Sequence, residues 1–206
     1  MSKLITTPIG TAVYPHIDNP DTKFDDDGVY TCKLHLSEGD FNTFKIQYDA
    51  LYEKAYKAEC ASKDQTLRKS PALPVRITDA GDYEVFGKQA AKRNTSKGLL
   101  EFSVAVYDSA GNKLPTTPRI GSGSKLRLSL EPSFWYVASS GFGCTLRLRA
   151  VQVIDLVEYG GGGSSEAFGF EGVDGGFVGD DEPVTVGAAP SNKSSVVLDD
   201  EETYDF

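Results

Sequence analysis

The stretch "GVYTCKLHLSEGDFNTFKIQYDALYEKA" (residues 28–55) changes its hydrophobic period halfway along, and this change decides the fold class. Up to Leu36, apolar and polar side chains alternate, which is typical of a half-buried β-strand. Ser37 and Asp40 then have the spacing of a helix-capping box, with Asp in place of the usual Glu. Beyond them, apolar residues recur at helical spacing: Phe41, Phe44, Tyr48, Leu51 and Ala55. We therefore predict a strand followed by one helix that ends near Ala61.

Short alternating strands account for most of the remaining sequence up to residue 159. "GSKLRLSLEP" (residues 123–132) places three leucines on one face and Lys125 and Arg127 on the other. "CTLRLRAV" (residues 144–151) repeats the pattern with Arg147 and Arg149. Gly- and Pro-rich turns separate about six to eight such strands. We expect an all-β fold with one added helix, in the form of an OB-fold-like, partly closed antiparallel barrel.

The charge of the chain divides at the glycine run 160–163. Residues 1–159 contain 20 Lys and Arg against 19 Asp and Glu, whereas residues 160–206 contain one Lys against 11 acids. Within the first part, residues 65–130 hold 11 basic and five acidic residues, so a near-neutral average conceals a basic segment. A Gly-rich acidic segment with few aliphatic residues cannot bury a core. We predict a folded domain over 1–159 and a flexible, disordered acidic tail over 160–206.

The residues that carry catalysis or hold metals are sparse in this sequence. Cys32, Cys60 and Cys144 form no C-x-x-C pair, and His16 and His35 complete no metal-ligand spacing. No Ser–His–Asp set can be picked out either. We expect no metal, no cofactor and no enzymatic activity, with a small metal-dependent nuclease as an open alternative. The sequence has no signal segment and no apolar run near 18 residues, so we expect a cytoplasmic protein without membrane association.

Basic residues on the polar faces of strands indicate a nucleic-acid partner. A phosphate backbone needs spaced cationic donors, and the release of its counterions supplies much of the affinity. If the two basic strands are neighbours, four cations line one face of the sheet. The segment "GKQAAKRNTSKG" (residues 87–98) adds cations in what we expect to be a mobile hairpin loop. The candidate phosphate-binding residues are Lys88, Lys92, Arg93, Lys97, Lys125, Arg127, Arg147 and Arg149. The alternative is a solvated charged face with no ligand.

Aromatic residues lie close to these cations in the sequence. Three consecutive rings, which we place in a loop after the Lys125–Arg127 strand, cannot all face a core. Base–aromatic stacking tolerates any sequence, so an exposed ring beside cations is typical of single-strand binding. The candidate stacking residues are Phe86, Tyr107, Phe134, Trp135 and Tyr136.

The chain ends in "LDDEETYDF" (residues 198–206), which combines acids with a terminal aromatic ring. Acidic residues alone are typical of a tail that increases solubility, but an exposed aromatic ring does not contribute to solubility. An apolar pocket rimmed with basic residues on a partner protein would bind a segment that combines an aromatic ring, a free carboxylate and nearby acidic residues. The tail could also lie across the basic groove of its own domain as a phosphate mimic. The predicted partner-binding residues are Asp199, Asp200, Glu201, Glu202, Tyr204, Asp205 and Phe206.

Several of these segments resemble, in the same order, the single-stranded DNA-binding proteins of lytic tailed phages of the T-odd podophage type. They are "GTAVYPHIDNPD", "GVYTCKLHL", "VAVYDSAGNKLPTTPRIGSGSKLRLSL", "LRLRAVQVIDLVEYGGG" and the final acidic run closing on "DF". The resemblance implies an OB-fold core with an added helix and an acidic tail that ends in Phe. By the same resemblance, Phe206 corresponds to the terminal aromatic, and Lys125 and Arg127 fall on a DNA-binding strand.

The resemblance also implies a function. We predict a protein that coats single-stranded DNA without sequence preference in phage DNA replication and recombination, and that anneals complementary strands in the host cell cytoplasm. Its tail is expected to recruit the replicative DNA polymerase and the helicase-primase. The oligomeric state stays open, a homodimer included. The alternatives are an acidic protein-interaction module or DNA mimic that targets a host protein, and a preference for RNA over DNA.

Overall fold

The computed structural model of the protein describes residues 4–23, 25–96 and 98–158. Within these ranges the chain forms ten strands and one helix, in the order β1 (Ile5–Thr6), β2 (Gly10–Asp21), β3 (Val29–Leu36), α1 (Glu38–Lys63), β4 (Val75–Ile77), β5 (Tyr83–Ala90), β6 (Lys92–Thr95), β7 (Gly98–Glu101), β8 (Ala105–Tyr107), β9 (Lys125–Val137) and β10 (Gly141–Asp155). Eight strands share one sheet, and β6 and β7 form a separate two-stranded ribbon. No helix in the described ranges is long and apolar enough to cross a membrane.

Five of the strands close a circuit around the core. β2 pairs with β3, β3 with β5, β5 with β10, β10 with β9, and β9 returns to β2. All of these pairings are antiparallel except β5 with β10, which is parallel. The β2–β9 and β5–β10 pairings are short, each joining only two residue positions on each strand. The predicted fold, an OB-like and partly closed barrel with one added helix, is confirmed.

The interior of the barrel follows from the alternation that the sequence shows. Leu126, Leu128 and Leu130 of β9 are fully buried, as are Leu146 and Leu148 of β10. Their polar neighbours along each strand therefore point outward, because successive side chains of a strand face opposite sides. This arrangement puts the basic residues of β9 and β10 on the outer surface of the barrel.

Helix α1 lies against the barrel and begins where the sequence predicts. The Ser37 hydroxyl accepts a hydrogen bond of 3.2 Å from the Asp40 backbone N–H, which satisfies one of the free donors of the first turn. Four aromatic residues form the buried face of the helix: Phe41, Phe44, Tyr48 and Tyr52. The Tyr52 hydroxyl also donates to the Phe142 carbonyl oxygen at 2.8 Å. The helix therefore closes the core through rings and is fixed to β10 by a buried hydrogen bond.

Three details differ from the predictions. The described ranges contain ten strands rather than six to eight, because β1, β4 and β8 have only two or three residues each. Phe134, Trp135 and Tyr136 lie within β9 and not in a loop, since β9 stays paired with β10 up to Val137. The segment 87–98 is not one loop either: residues 87–90 belong to β5, and residues 92–95 and Gly98 belong to the β6–β7 ribbon.

Candidate nucleic-acid interface

The outer faces of β3, β5 and β10 bring cations from different strands side by side. Lys88 of β5 lies opposite Thr31 of β3 and opposite Arg147 of β10. One row further along, Lys33 of β3 lies opposite Phe86 of β5. Directly opposed residues on neighbouring strands share a face of the sheet. Three strands that are distant in the sequence therefore contribute to one cationic surface.

Two adjoining depressions, of about 330 and 420 Å³, occupy this surface. Both are lined by Lys88, Trp135 and Thr145. We name the combined surface the cationic groove, and its charged and aromatic lining residues are Asp25, Lys33, Arg76, Phe86, Lys88, Arg93, Trp135 and Arg147. Five cations and one acid give the groove a clear positive excess, which is the electrostatic requirement for a polyanionic ligand.

Most of the positive charge in the groove is not neutralised by neighbouring acids. Arg76 is the exception, because its guanidinium contacts the buried Glu84 carboxylate at 2.8 Å. Among the residues that the structure describes, no carboxylate forms an ion pair with Lys33, Lys88, Arg93 or Arg147. Lys33, Lys88 and Arg93 remain available for phosphates. Arg147 lies directly opposite Glu131 on β9, whose carboxylate accepts a hydrogen bond from Arg149. The Cys144 thiol at the edge of the groove adds no negative charge at neutral pH, because burial raises its pKa to about 12.

Trp135 is held in place within the groove by two contacts. Its indole N–H donates to the Thr145 hydroxyl oxygen at 3.2 Å. Its ring also covers Gly143, the residue opposite it on β10, so closely that a Cβ atom there would lie 2.4 Å from Trp135 Cζ2. The glycine therefore makes room for the indole. A half-buried ring that is fixed at its edge can accept a base without first losing rotamer freedom.

The strand geometry divides the three consecutive rings between two surfaces. Phe134 stacks on Phe142 with a centroid distance of 6.1 Å and an interplanar angle of 8°, and so packs against the core under α1. Tyr136 lies on the same side, with the Lys63 ammonium 5.2 Å from its ring centroid. Trp135 lies between them in the sequence and therefore faces the opposite side. Of these three consecutive rings, the groove contains Trp135, and of the five candidate stacking residues it contains Trp135 and Phe86.

The four cations of β9 and β10 all lie on the outer side of the barrel, but they do not form one cluster, although the two strands are neighbours. Antiparallel pairing sets Lys125 opposite Asp155 and Arg127 opposite Gln152, far along β10 from Arg147. Lys125 donates a hydrogen bond of 2.8 Å to the Thr11 hydroxyl. Arg127 lines a separate depression between the chain around β1 and helix α1. The four cations are therefore spread along the β9–β10 pair and do not form a single site, because the register separates them.

Three further predicted residues lie outside the groove as well. Arg149 occupies a β-bulge and donates through Nε to the Glu131 carboxylate at 2.6 Å. Lys92 pairs with Glu101 at 3.9 Å on the other face of the ribbon. Tyr107 lies on β8 opposite Gln152. Lys97 and the predicted tail residues, Asp199, Asp200, Glu201, Glu202, Tyr204, Asp205 and Phe206, lie outside the described residues.

The groove also contains residues that the sequence reasoning missed. Lys33 occupies a polar position of the alternating strand β3, and that alternation was the available signal. Arg76 lies on the three-residue strand β4, which is too short to show a period. Thr145 was not predicted because its role depends on a hydrogen bond from Trp135 on the neighbouring strand, which the sequence does not show. No three His, Cys, Asp or Glu side chains in the described ranges are grouped so that they could hold a metal ion.

Comparison with known proteins identifies sequence relatives that match most of the chain. The single-stranded DNA-binding protein of Enterobacteria phage T3 is 30% identical over 190 residues, which cover 80% of this chain and 81% of the relative. The single-stranded DNA-binding protein of Escherichia phage T7 is 28% identical over 186 residues, covering 78% and 79%. No protein-family model matches the chain.

Solved structures show the same fold. The crystal structure of the single-stranded DNA-binding protein encoded by bacteriophage T7 superposes with a TM-score of 0.67 at 24% identity, covering 87% of this chain and 100% of that one. The single-stranded DNA-binding protein of bacteriophage Enc34 in complex with single-stranded DNA gives a TM-score of 0.57 at 16% identity, covering 77% and 89%. From the sequence relationship to the phage T3 protein and the shared OB-like fold, the chain belongs to the family of phage single-stranded DNA-binding proteins.

Proposed function

We propose that the protein binds single-stranded DNA in the cationic groove, without sequence preference, and coats single strands during phage DNA replication and recombination. One observation carries the proposal: cations that form no ion pair with any described carboxylate converge, from three strands and the ribbon, around Trp135 and Phe86. Membership of the phage single-stranded DNA-binding family supports it. The strand-annealing activity and the RNA alternative are subsidiary proposals, to be tested by annealing of complementary oligomers and by competition with matched RNA.

The groove divides the recognition of a nucleotide between two kinds of contact. Lys33, Lys88 and Arg147 lie in adjacent positions from which they can reach successive phosphates, and such contacts carry no sequence information. Trp135 and Phe86 offer ring surfaces on which any base can stack. Neither contact depends on base identity, so affinity should vary little between sequences.

A fluorescence titration tests the proposal directly. Trp135 is the single tryptophan of the chain and lines the groove, so its emission reports on the site alone. Oligo-dT should quench it, and log K should fall with log salt by about 0.7 for each phosphate neutralised, or a slope near −3 for four cations. Unquenched emission together with unchanged anisotropy of labelled oligo-dT would overturn the proposal. That result would favour the DNA-mimic alternative, in which the acidic tail binds a host protein.

We further propose that the tail, residues 160–206, competes with DNA for the groove and recruits the replicative polymerase and helicase-primase. Its support is charge complementarity, since the tail holds 11 acids and one Lys while the groove is cationic. A flexible chain of this length spans roughly 35–40 Å and is present at an effective concentration on the order of millimolar. Deleting residues 199–206 should tighten oligo-dT binding several-fold at low salt and abolish stimulation of both enzymes. Unchanged DNA affinity would contradict the competition.

The proposed role is non-catalytic. The relatives are named as binding proteins, and the described residues contain no cluster that could hold a catalytic metal. Incubation of labelled single strands with Mg²⁺ or Mn²⁺ and the purified protein should leave the strands intact. Their cleavage, if lost in a Trp135→Ala variant, would assign a nuclease activity to the groove.

A further inference from the structure

The β6–β7 ribbon projects from the barrel beside the groove. It is a two-stranded sheet of its own, and its base is fixed by hydrogen bonds from the Ala91 N–H to the Gly28 carbonyl oxygen at 2.8 Å and from the Phe102 N–H to the Ala91 carbonyl oxygen at 2.7 Å. Ala91 is buried, whereas the described residues of both ribbon strands are exposed apart from the half-buried Thr95. An isolated hairpin of this kind is marginally stable in water and gains most from a surface that contacts it.

The register of the ribbon defines which side chains share each of its faces. Arg93 lies opposite Leu100, and Asn94 lies opposite Leu99. Cross-strand partners point to the same side, and consecutive residues point to opposite sides. Arg93 lines the cationic groove with Lys88, Trp135 and Arg147. Leu100 therefore extends the groove-facing side of the ribbon.

The opposite face of the ribbon has a different environment. Lys92 and Glu101 are cross-strand partners, form an ion pair and line a depression near the β2–β3 loop. Leu99 shares this face, because it is two residues from Glu101 along β7. Leu99 and Leu100 are thus consecutive leucines of almost equal exposure, 52% and 49%, which differ in whether they face the groove.

We propose that Leu100 is a DNA-binding residue: together with Arg93 it forms a second wall of the groove and packs against a base of the bound strand. The inference rests on the proposed single-strand binding. Arg93, which forms no ion pair with a carboxylate in the described part of the chain, can bind a phosphate, and Leu100 supplies an apolar surface for the adjoining base. Arg93, the cross-strand partner of Leu100, itself lines the groove, which is why the occupant is the strand in the groove rather than a second copy of the protein.

The pair Leu99 and Leu100 provides its own control. We expect Leu100→Ser to weaken oligo-dT binding about five-fold, from the apolar area that a leucine buries against a base. Leu99→Ser makes the same chemical change at the next position and should leave the affinity unchanged. Both variants should unfold at similar temperatures. Anisotropy of labelled oligo-dT measures the affinities, and Trp135 quenching confirms that the groove is filled.

The salt dependence of DNA binding distinguishes the contribution of Leu100 from that of Arg93. An apolar contact releases no counterion, so the loss in Leu100→Ser should be the same at low and high salt. Arg93→Ala should instead make the slope of log K against log salt shallower by about 0.7. A loss in Leu100→Ser that disappears at high salt would overturn the apolar contact.

The remaining outcomes are equally informative. Wild-type affinity in Leu100→Ser, with strong binding by the unaltered protein, would overturn this inference and leave the proposed function intact. Equal losses in Leu99→Ser and Leu100→Ser, accompanied by a lower mass in sedimentation, would assign the leucines to self-association and also overturn it. Failure of the unaltered protein to bind DNA would refute the proposed function itself.

Discussion

Two basic surfaces of this barrel look alike in the sequence and differ in the structure. The cationic groove contains Lys88 and Arg147 side by side, with Trp135 beside them. The other surface, around Lys125 and Arg127 on β9, has the same alternation of basic and apolar residues. There Lys125 bonds to a threonine and Arg127 lines a depression with polar neighbours and Phe44.

The comparison teaches that alternation places cations on a surface but does not make a binding site. A single-strand site also needs cations from neighbouring strands, freedom from acidic partners and an accessible ring among them. The groove meets all three conditions because β3, β5 and β10 meet there. On the β9 surface, Lys125 and Arg127 also form no ion pair among the described residues, but both come from one strand, and the ring that lines the depression with Arg127, Phe44, is buried.

The largest expected loss of DNA affinity follows from removing the Trp135 ring from the groove. Trp135→Ala should weaken oligo-dT binding about 5- to 150-fold, since base–aromatic stacking contributes about 1–3 kcal/mol per base. Anisotropy of labelled oligo-dT gives the affinity without the tryptophan signal. Tyr14→Ala is the matched control, because the Tyr14 ring is 75% exposed and lies outside the groove. Equal losses in both variants would remove the distinction between the surfaces.

The next effect concerns the paired cations of the groove. Lys88→Ala combined with Arg147→Ala should reduce the salt slope by about 1.4, because each cation accounts for about 0.7 on a single strand. The affinity should fall at low salt and approach that of the unaltered protein at high salt. Titrations at three or more salt concentrations measure both quantities. A parallel downward shift at every salt concentration would show that the substitutions act through the fold instead.

A smaller effect should follow from filling the space beneath Trp135. In Gly143→Ala the new Cβ would overlap the indole, which must move away from Thr145, so we expect binding to weaken several-fold with little loss of stability. The emission maximum of Trp135 should also shift. Gly39→Ala is the control, because its Cβ would meet no atom within 4 Å. Unchanged emission and affinity in Gly143→Ala would show that the indole is not held as described.

The smallest effect is expected on the β9 surface. Lys125→Ala combined with Arg127→Ala removes two cations, as the groove variant does, but we expect less than a two-fold change in affinity and an almost unchanged salt slope. The same titration series measures it. A slope reduction matching that of the groove variant would extend the DNA path onto β9 and restore the prediction made from the sequence.

The sequence by itself determined the elements and their composition. Hydrophobic period is a local property, so the alternation in β3 and the helical spacing after Ser37 predicted the strand, the cap and the helix. Charge composition is local as well, and it distinguishes the acidic residues 160–206 from the near-neutral residues 1–159. The outward-facing positions of Lys88, Arg93 and Arg147 could be proposed from the same patterns.

Only the tertiary structure decided which of these residues meet. The antiparallel register carries Lys125 and Arg127 away from Arg147, and the parallel β5–β10 pairing sets Lys88 beside it. Because β9 stays paired with β10 up to Val137, Phe134 and Tyr136 face the core side of the sheet and Trp135 faces the groove. Register depends on contacts between segments far apart in the chain, and a one-residue shift moves every side chain to the other face. A local pattern contains no information about that choice, so the binding surface emerges when the barrel closes.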